Sequence, residues 1–184
     1  MNIKITYRNN FSVHYIAALF FIFIVEMNLK SQTPEEIILK KKITLPEVSI
    51  SLGNYTNLVR SGNLIYLSGK GPLRSDGKYI NGKIGKDLNI DQGYEAARLC
   101  GLAQISALKK ELGDLSKIKR IIKVTAFVNS TDSFTDQPKV VNGYSDLMTE
   151  IFGNKGIHAR SAVGVSSLPS GWPVEVEMIV EIEP

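Results

Sequence analysis

The sequence predicts an α+β domain, a mixed β-sheet with two helices packed on one of its faces. Three observations carry that reading. Two stretches repeat apolar residues at three- and four-residue spacing, as a half-buried helix requires. Five shorter stretches alternate apolar and polar residues, as strands do. Their order along the chain is ββ-loop-α-β-α-β-β, so two amphipathic helices need cover and both find it on the same side of the sheet.

Positions 1–32 read as a targeting segment ahead of the domain. Lys4 and Arg8 give a positive start, and Tyr15 to Val25 is an unbroken apolar run of eleven residues. That length suits the core of a signal peptide and falls short of a bilayer span. Export to a periplasmic or secreted location, with cleavage near Gln32, is the expectation. Because Leu29-Lys30-Ser31-Gln32 lacks a small-x-small pattern, an uncleaved membrane anchor is the alternative. No lipobox cysteine follows the run, so a lipoprotein is excluded. Positions 33–45 form a linker, with Thr33–Lys42 a short helix or tether, and the domain proper covers positions 46–184.

Within the domain, Asn57–Arg60 and Asn63–Ser68 are short strands joined at Ser61-Gly62. Gly69–Asn89, rich in Gly, Asn, Lys and Asp, is a long irregular excursion of the kind that often carries function. Asp91–Leu112 is a helix stopped at Gly113, its stripe made of Tyr94, Ala97, Leu102, Ile105, Leu108 and Leu112. Arg120–Val128 alternates as a third strand. The second helix is capped at Asp136 or a near neighbour, tolerates Pro138 in its first turn and ends at Gly153. Its stripe is Val140, Val141, Tyr144, Leu147, Met148, Ile151 and Phe152. Ser161–Val165 is a fourth strand. Val174–Glu183 is a fifth, with Val174, Val176, Met178, Val180 and Ile182 on one face and mainly glutamates on the other.

The strands are apolar on both sides in places. Ile122, Val124, Ala126 and Val128 line one face of the third strand while Ile121 and Phe127 line the other; in the second, Leu64 and Tyr66 alternate with Ile65 and Leu67. Two helices cannot cover both faces, so the second face is expected to meet another subunit, with ligand sites at the seam.

Composition narrows the chemistry. The net charge of +4 over 184 residues falls by two when the leader is removed, which gives no electrostatic ground for nucleic acid. Lys40-Lys41-Lys42 and Lys117-Ile118-Lys119-Arg120 read as solvated surface. Cys100 is alone, so no internal disulfide forms, and it reads as a small buried or half-buried side chain. His158 is the one histidine outside the leader, His14 being within it. There is no CxxC, no HExxH and no two-histidine set, and neither a metal nor a cofactor is expected.

The residues able to do chemistry gather in His158-Ala159-Arg160-Ser161-Ala162-Val163-Gly164-Val165, Leu168-Pro169 and Val174-Glu175-Val176-Glu177. Arg160, at the mouth of a strand, presents a planar fork able to hold a carboxylate through two hydrogen bonds, or else simply pairs with a neighbouring acid. Glu175 shares a face with Glu177, Glu181 and Glu183. Such a face usually means water, but at a subunit seam one of these acids would be costly unless used.

Together with Tyr55, Leu67-Ser68-Gly69 and Asn142, these runs in this order resemble the RidA/YjgF family of reactive-intermediate deaminases, formerly described as endoribonucleases, from about Ser51 to Pro184. The resemblance implies a chorismate-mutase-like fold assembled as a homotrimer with clefts between subunits. It also implies hydrolysis of enamines and imines such as 2-aminoacrylate to 2-oxo acids and ammonia, without metal or cofactor. On this chain it implies that Arg160 clamps the substrate carboxylate and that Glu175 orients or deprotonates the attacking water, shared with the backbone carbonyl of Ala162. Tyr55 would close the cleft, and Ser68, Gly69 and Asn142 would shape its wall. The chain departs from the family at Lys70, where many relatives have Gln, at His158, where Pro is common, and in the long loop from Lys70 to Asn89. Lys70 reads as solvated and His158 as an inert loop histidine, or alternatively as a proton carrier beside Arg160.

Three functions stand open on these residues. The first is a deaminase of small carboxylate-bearing imines, to which positioning and one base suffice. The second is a non-enzymatic module binding or sensing a small acid through Arg160. The third, an endoribonuclease, is the weakest, for want of a two-histidine acid–base pair and of an aromatic-basic platform.

Overall fold

The computed structural model describes residues 32–48 and 53–184; the apolar run Tyr15–Val25, read as signal peptide or anchor, lies outside the described residues. Five strands, β1 (Leu58–Ser61), β2 (Leu64–Lys70), β3 (Ile118–Asn129), β4 (Ala159–Val165) and β5 (Val174–Ile182), join in one sheet ordered β1-β2-β5-β3-β4. Among the described residues three α-helices accompany them, α1 (Pro34–Lys40), α2 (Ile90–Leu112) and α3 (Gln137–Phe152). Neighbouring strands are antiparallel except β3 and β4. A parallel pair cannot be joined by a tight turn, and α3 supplies the crossover. The α+β class, with a mixed sheet and two long helices on one face, is as the sequence predicts.

Local chemistry sets the element ends. Asn89 caps α2 by accepting from Gln92 N, while the Gln92 side chain accepts from Asn89 N, each at 2.9 Å. The helix therefore starts ahead of the expected Asp91. Asp136 is the residue before α3 but makes no capping bond with its side chain, which pairs with Lys139 at 3.0 Å. Thr33 and Glu36 form a capping box at α1. Glu35 ties that helix to the body by accepting from Lys109 Nζ at 2.9 Å and Leu115 N at 2.8 Å.

All seven stripe residues of α3 are buried. The stripe of α2 differs from the expectation. Tyr94 and Leu102 are only half-buried, and the core line runs through Gly93, Ala97, Cys100, Gly101, Gln104, Ile105, Leu108 and Leu112. Small residues win because α3 lies close. A Cβ on Gly101 would sit 2.8 Å from a Leu147 methyl, and one on Gly143 would sit 2.0 Å from the Tyr94 carbonyl oxygen. The Tyr94 ring turns outward instead, its hydroxyl donating to Asp146 at 3.0 Å.

β3 also departs from simple alternation. Its register with β5 slips between Ile118 and Arg120 and again between Ile121 and Lys123. The second bulge returns Ile121 to the core side with Val124, Ala126 and Val128 and leaves Ile122 half-buried, the reverse of what strict alternation gives. The opposite face, free of helices, carries Val59, Tyr66 and Val163, 57%, 44% and 45% exposed, with Phe127 and Ile179 half-buried among them.

Gly143→Ala should force α3 away from the Tyr94 backbone. Urea unfolding should show a loss of about 1–3 kcal/mol, whereas an unchanged midpoint would mean that the two helices separate without cost.

Candidate functional site

Arg160 lies on β4, an edge strand, and its direction follows from register. It is paired with Val124, which is wholly buried against the helices. Paired residues on neighbouring strands share a face, so Arg160 projects towards α3. There Nη1 donates to Asn142 Oδ1 and to Ser145 Oγ, both at 3.0 Å, and Nη2 donates to the Pro138 carbonyl at 3.4 Å. The helix supplies these acceptors from residues three and four apart, one patch of its surface. Among the described residues Arg160 has no carboxylate partner. Its Nε–H and the second hydrogen of Nη2 remain, enough to hold an incoming carboxylate through two bonds.

His158 adjoins this group. Its Nδ1 lies 2.6 Å from the Gly156 carbonyl and its Nε2 lies 3.1 Å from Ser145 Oγ, with the ring edge-on to Tyr144. Burial, opposed by the bond to Gly156 and aided by the Arg160 charge, lowers its pKa below the ordinary histidine range. The reading of His158 as a loop residue without partners is therefore corrected. Ser145 went unnoticed in the sequence. Its signal was present, three residues after Asn142 and on the same helical face.

Glu175 belongs to the other face. It pairs with Phe127 across β3, three positions from Val124, so its side chain points away from the helices. It rests against β2 where that strand bulges between Leu67 and Lys70. A Cβ on Gly69 would meet Glu175 Oε1 at 2.1 Å, so only glycine leaves the carboxylate its place. Half-buried, and without an ion pair among the described residues, Glu175 has its pKa raised first by desolvation and then by the charge of Glu177. Glu181, by contrast, is paired with Lys119 at 2.7 Å.

The candidates thus fall into two groups. Arg160, Asn142 and Ala162 share the helix side of the sheet, Ala162 packing against the core. Glu175 and Gly69 meet on the open side. Ser68, whose hydroxyl donates to the Thr56 carbonyl at 2.7 Å, lines a hollow of about 320 Å³ with Tyr66, Lys123, Thr125 and Glu177. Tyr55 is 60% exposed, its ring near Gly53. Within one chain Arg160 and Glu175 do not face a common space. Lys70, read as solvated, is buried to 9% exposure, and its ammonium bonds Asn57 Oδ1, while burial lowers its pKa. No cluster of three or more His, Cys, Asp or Glu among the described residues could hold a metal ion.

Comparisons with known proteins show what the chain as a whole is similar to. A family model described as "YjgF/chorismate_mutase-like, putative endoribonuclease" matches residues 35–179. The chain is 43% identical over 141 residues to Protein TCP17 of Trypanosoma cruzi, covering 76% of this chain and 88% of that one. It is 31% identical over 145 residues to the 2-iminobutanoate/2-iminopropanoate deaminase of Dermatophagoides farinae, covering 78% and 98%. Its fold is similar to the crystal structure of a protein of unknown function from Agrobacterium tumefaciens, with TM-score 0.75, 40% identity and 83% and 93% coverage.

The raised Glu175 pKa carries a stability consequence. The charged carboxylate costs the fold free energy above its folded pKa, and the cost vanishes once the pH falls below the unfolded value near 4.5. Glu175→Gln should therefore melt at a higher temperature than the wild type at pH 7, the advantage closing as the pH approaches 4.5. Equal melting temperatures at pH 7 would mean that the carboxylate is well solvated in solution.

Proposed function

The chain belongs to the YjgF/chorismate mutase-like family, and from that premise we propose that it hydrolyses small imines or enamines bearing a carboxylate, releasing a 2-oxo acid and ammonia. The observation that carries the reading is Arg160, a guanidinium held by three acceptors on α3 with one donor edge left over and, among the described residues, no acid to neutralise it. The deaminase name of the mite relative, at 31% identity, supports the same reaction.

In this reading Arg160 fixes the carboxylate, and Glu175 takes a proton from a water as its oxygen bonds to the imine carbon. The C=N pair moves to nitrogen, which is protonated. A second proton then reaches nitrogen from solvent, the C–N bond breaks, ammonia departs, and the hydroxyl proton passes to solvent, leaving the ketone. A raised pKa brings Glu175 closer to the working pH, where one carboxyl serves as base and, once protonated, as acid. The imine is already electrophilic, so position and one base are enough.

Arg160 and Glu175 occupy opposite faces of one sheet, and the proposal therefore includes assembly. We place the catalytic cleft between copies, with Arg160 and Ala162 from one chain and Glu175, Gly69 and Ser68 from the next, in a homotrimer that covers Val59, Tyr66 and Val163. Tyr55 would close its mouth. Export with loss of the leader belongs to the same proposal. The separation of the two residues is also the observation that favours a second reading, in which the protein binds a small acid through Arg160 and turns nothing over.

Light scattering on the protein lacking residues 1–32 should give three times the chain mass. A folded monomer at micromolar concentration would remove the shared cleft. Ammonia and 2-oxo acid release from freshly generated imines should fall about a hundredfold or more in Glu175→Gln, with affinity for a 2-oxo acid held within a few-fold. Arg160→Lys should fail nearly as badly as Arg160→Ala on carboxylate substrates, because a point charge cannot replace the fork. Wild-type turnover of nil with Arg160-dependent binding would establish the second reading instead.

A further inference from the structure

His158, Ser145 and Arg160 form a single chain of hydrogen bonds whose direction is fixed at one end. The Gly156 carbonyl can only accept, so His158 Nδ1, 2.6 Å from it, carries the proton. In the neutral ring Nε2 is then an acceptor, and the Ser145 hydroxyl, 3.1 Å away, donates to it. With its hydrogen committed to His158, Ser145 Oγ presents lone pairs to Arg160 Nη1 at 3.0 Å. Asn142 Oδ1 accepts the other Nη1 hydrogen at 3.0 Å. We infer that Ser145 and neutral His158 are positioning residues for Arg160, holding the guanidinium so that its free edge faces an incoming carboxylate. The inference rests on the reading of Arg160 as the carboxylate clamp.

Protonation of His158 would undo the arrangement. Nε2 would become a donor, and Ser145 Oγ would then accept from two cations at once, the imidazolium and the guanidinium, whose like charges repel across it. The charged and titratable groups around the imidazole all oppose that form or leave it alone. From β4 comes Arg160, a like charge. From α3 comes Tyr144, with its hydroxyl engaged on Gln104. From the turn at 153–156 comes Lys155, whose ammonium donates to the Ile118 carbonyl at 2.8 Å. On β3, Lys123, paired with Ala159 beside the histidine, lies on the opposite face and is bonded to Ser161 at 2.7 Å. Among the described residues no carboxylate is placed to stabilise an imidazolium there. Burial and Arg160 accordingly hold the pKa below 6.5, so the neutral form prevails at neutral pH.

The test measures pyruvate affinity by calorimetry, with imine turnover recorded separately. Ser145→Ala should weaken pyruvate binding about tenfold, the scale of one hydrogen bond to a charged group, raising KM far more than it lowers kcat. Binding of the neutral amide of pyruvate should be unaffected. In the wild type, pyruvate affinity should decline as the pH drops below 6.5, and His158→Gln, which cannot ionise, should abolish that decline. Protonation of Glu175 would change affinity in the opposite direction, since it removes a negative charge, so the two limbs are separable. Wild-type affinity in Ser145→Ala, a pH decline that survives His158→Gln, or a wild type that binds no pyruvate would each overturn the inference. If pyruvate binding follows the expected pattern while no imine is turned over, the positioning role stands and the deaminase reading falls. Should Ser145→Ala not fold, the pH series on wild type and His158→Gln decides alone.

Discussion

Gln104 sits wholly inside the core, where an amide without partners would cost several kcal/mol. Its Nε2 donates to the Val176 carbonyl at 2.7 Å, and its Oε1 accepts from the Tyr144 hydroxyl. One side chain of α2 thereby holds α3 and β5 at once, with both polar ends satisfied. The apolar contacts around it are non-directional and would tolerate sliding; this bond chain does not. It fixes the depth at which α3 lies on the sheet, and the Arg160 acceptors at Pro138, Asn142 and Ser145 are carried on that helix.

The second constraint is the backbone of the sheet. Side chains alternate strictly unless a bulge intervenes. The slip between Leu67 and Lys70 brings Gly69 against Glu175, and the slips in β3 decide which of its isoleucines reach the core. Alternation then keeps Arg160 and Glu175 on opposite sides with β3 between them. The sheet thus separates a cation anchored by hydrogen bonds from an acid made basic by partial burial. A separation of this kind prevents the two from neutralising each other within one chain, which would leave neither available to a substrate.

Much of the fold was legible in the sequence because it follows from local periodicity. The α3 stripe, the core face of β5 and the order of elements came from spacing alone. So did the type of residue able to grip a carboxylate, since only arginine offers a planar fork. Where the sequence misled, the cause was packing between distant segments. Tyr94 and Leu102 look like core by spacing but yield to glycines, because α3 approaches too closely for larger side chains. Ile121 and Ile122 exchange faces because of a bulge that no local signal announces.

The candidate site divides along the same line. The sequence by itself singled out the candidates, Arg160 and Glu175 by chemical type and Asn142 and Gly69 through the family resemblance. Only the tertiary structure decided what surrounds them. Lys70 became buried on Asn57 rather than solvated, and His158 acquired Ser145 and Gly156 as partners rather than standing alone. Burial and hydrogen-bond direction depend on residues brought together from different elements. A pKa or the orientation of a guanidinium is set by those neighbours, and no spacing along the chain specifies them.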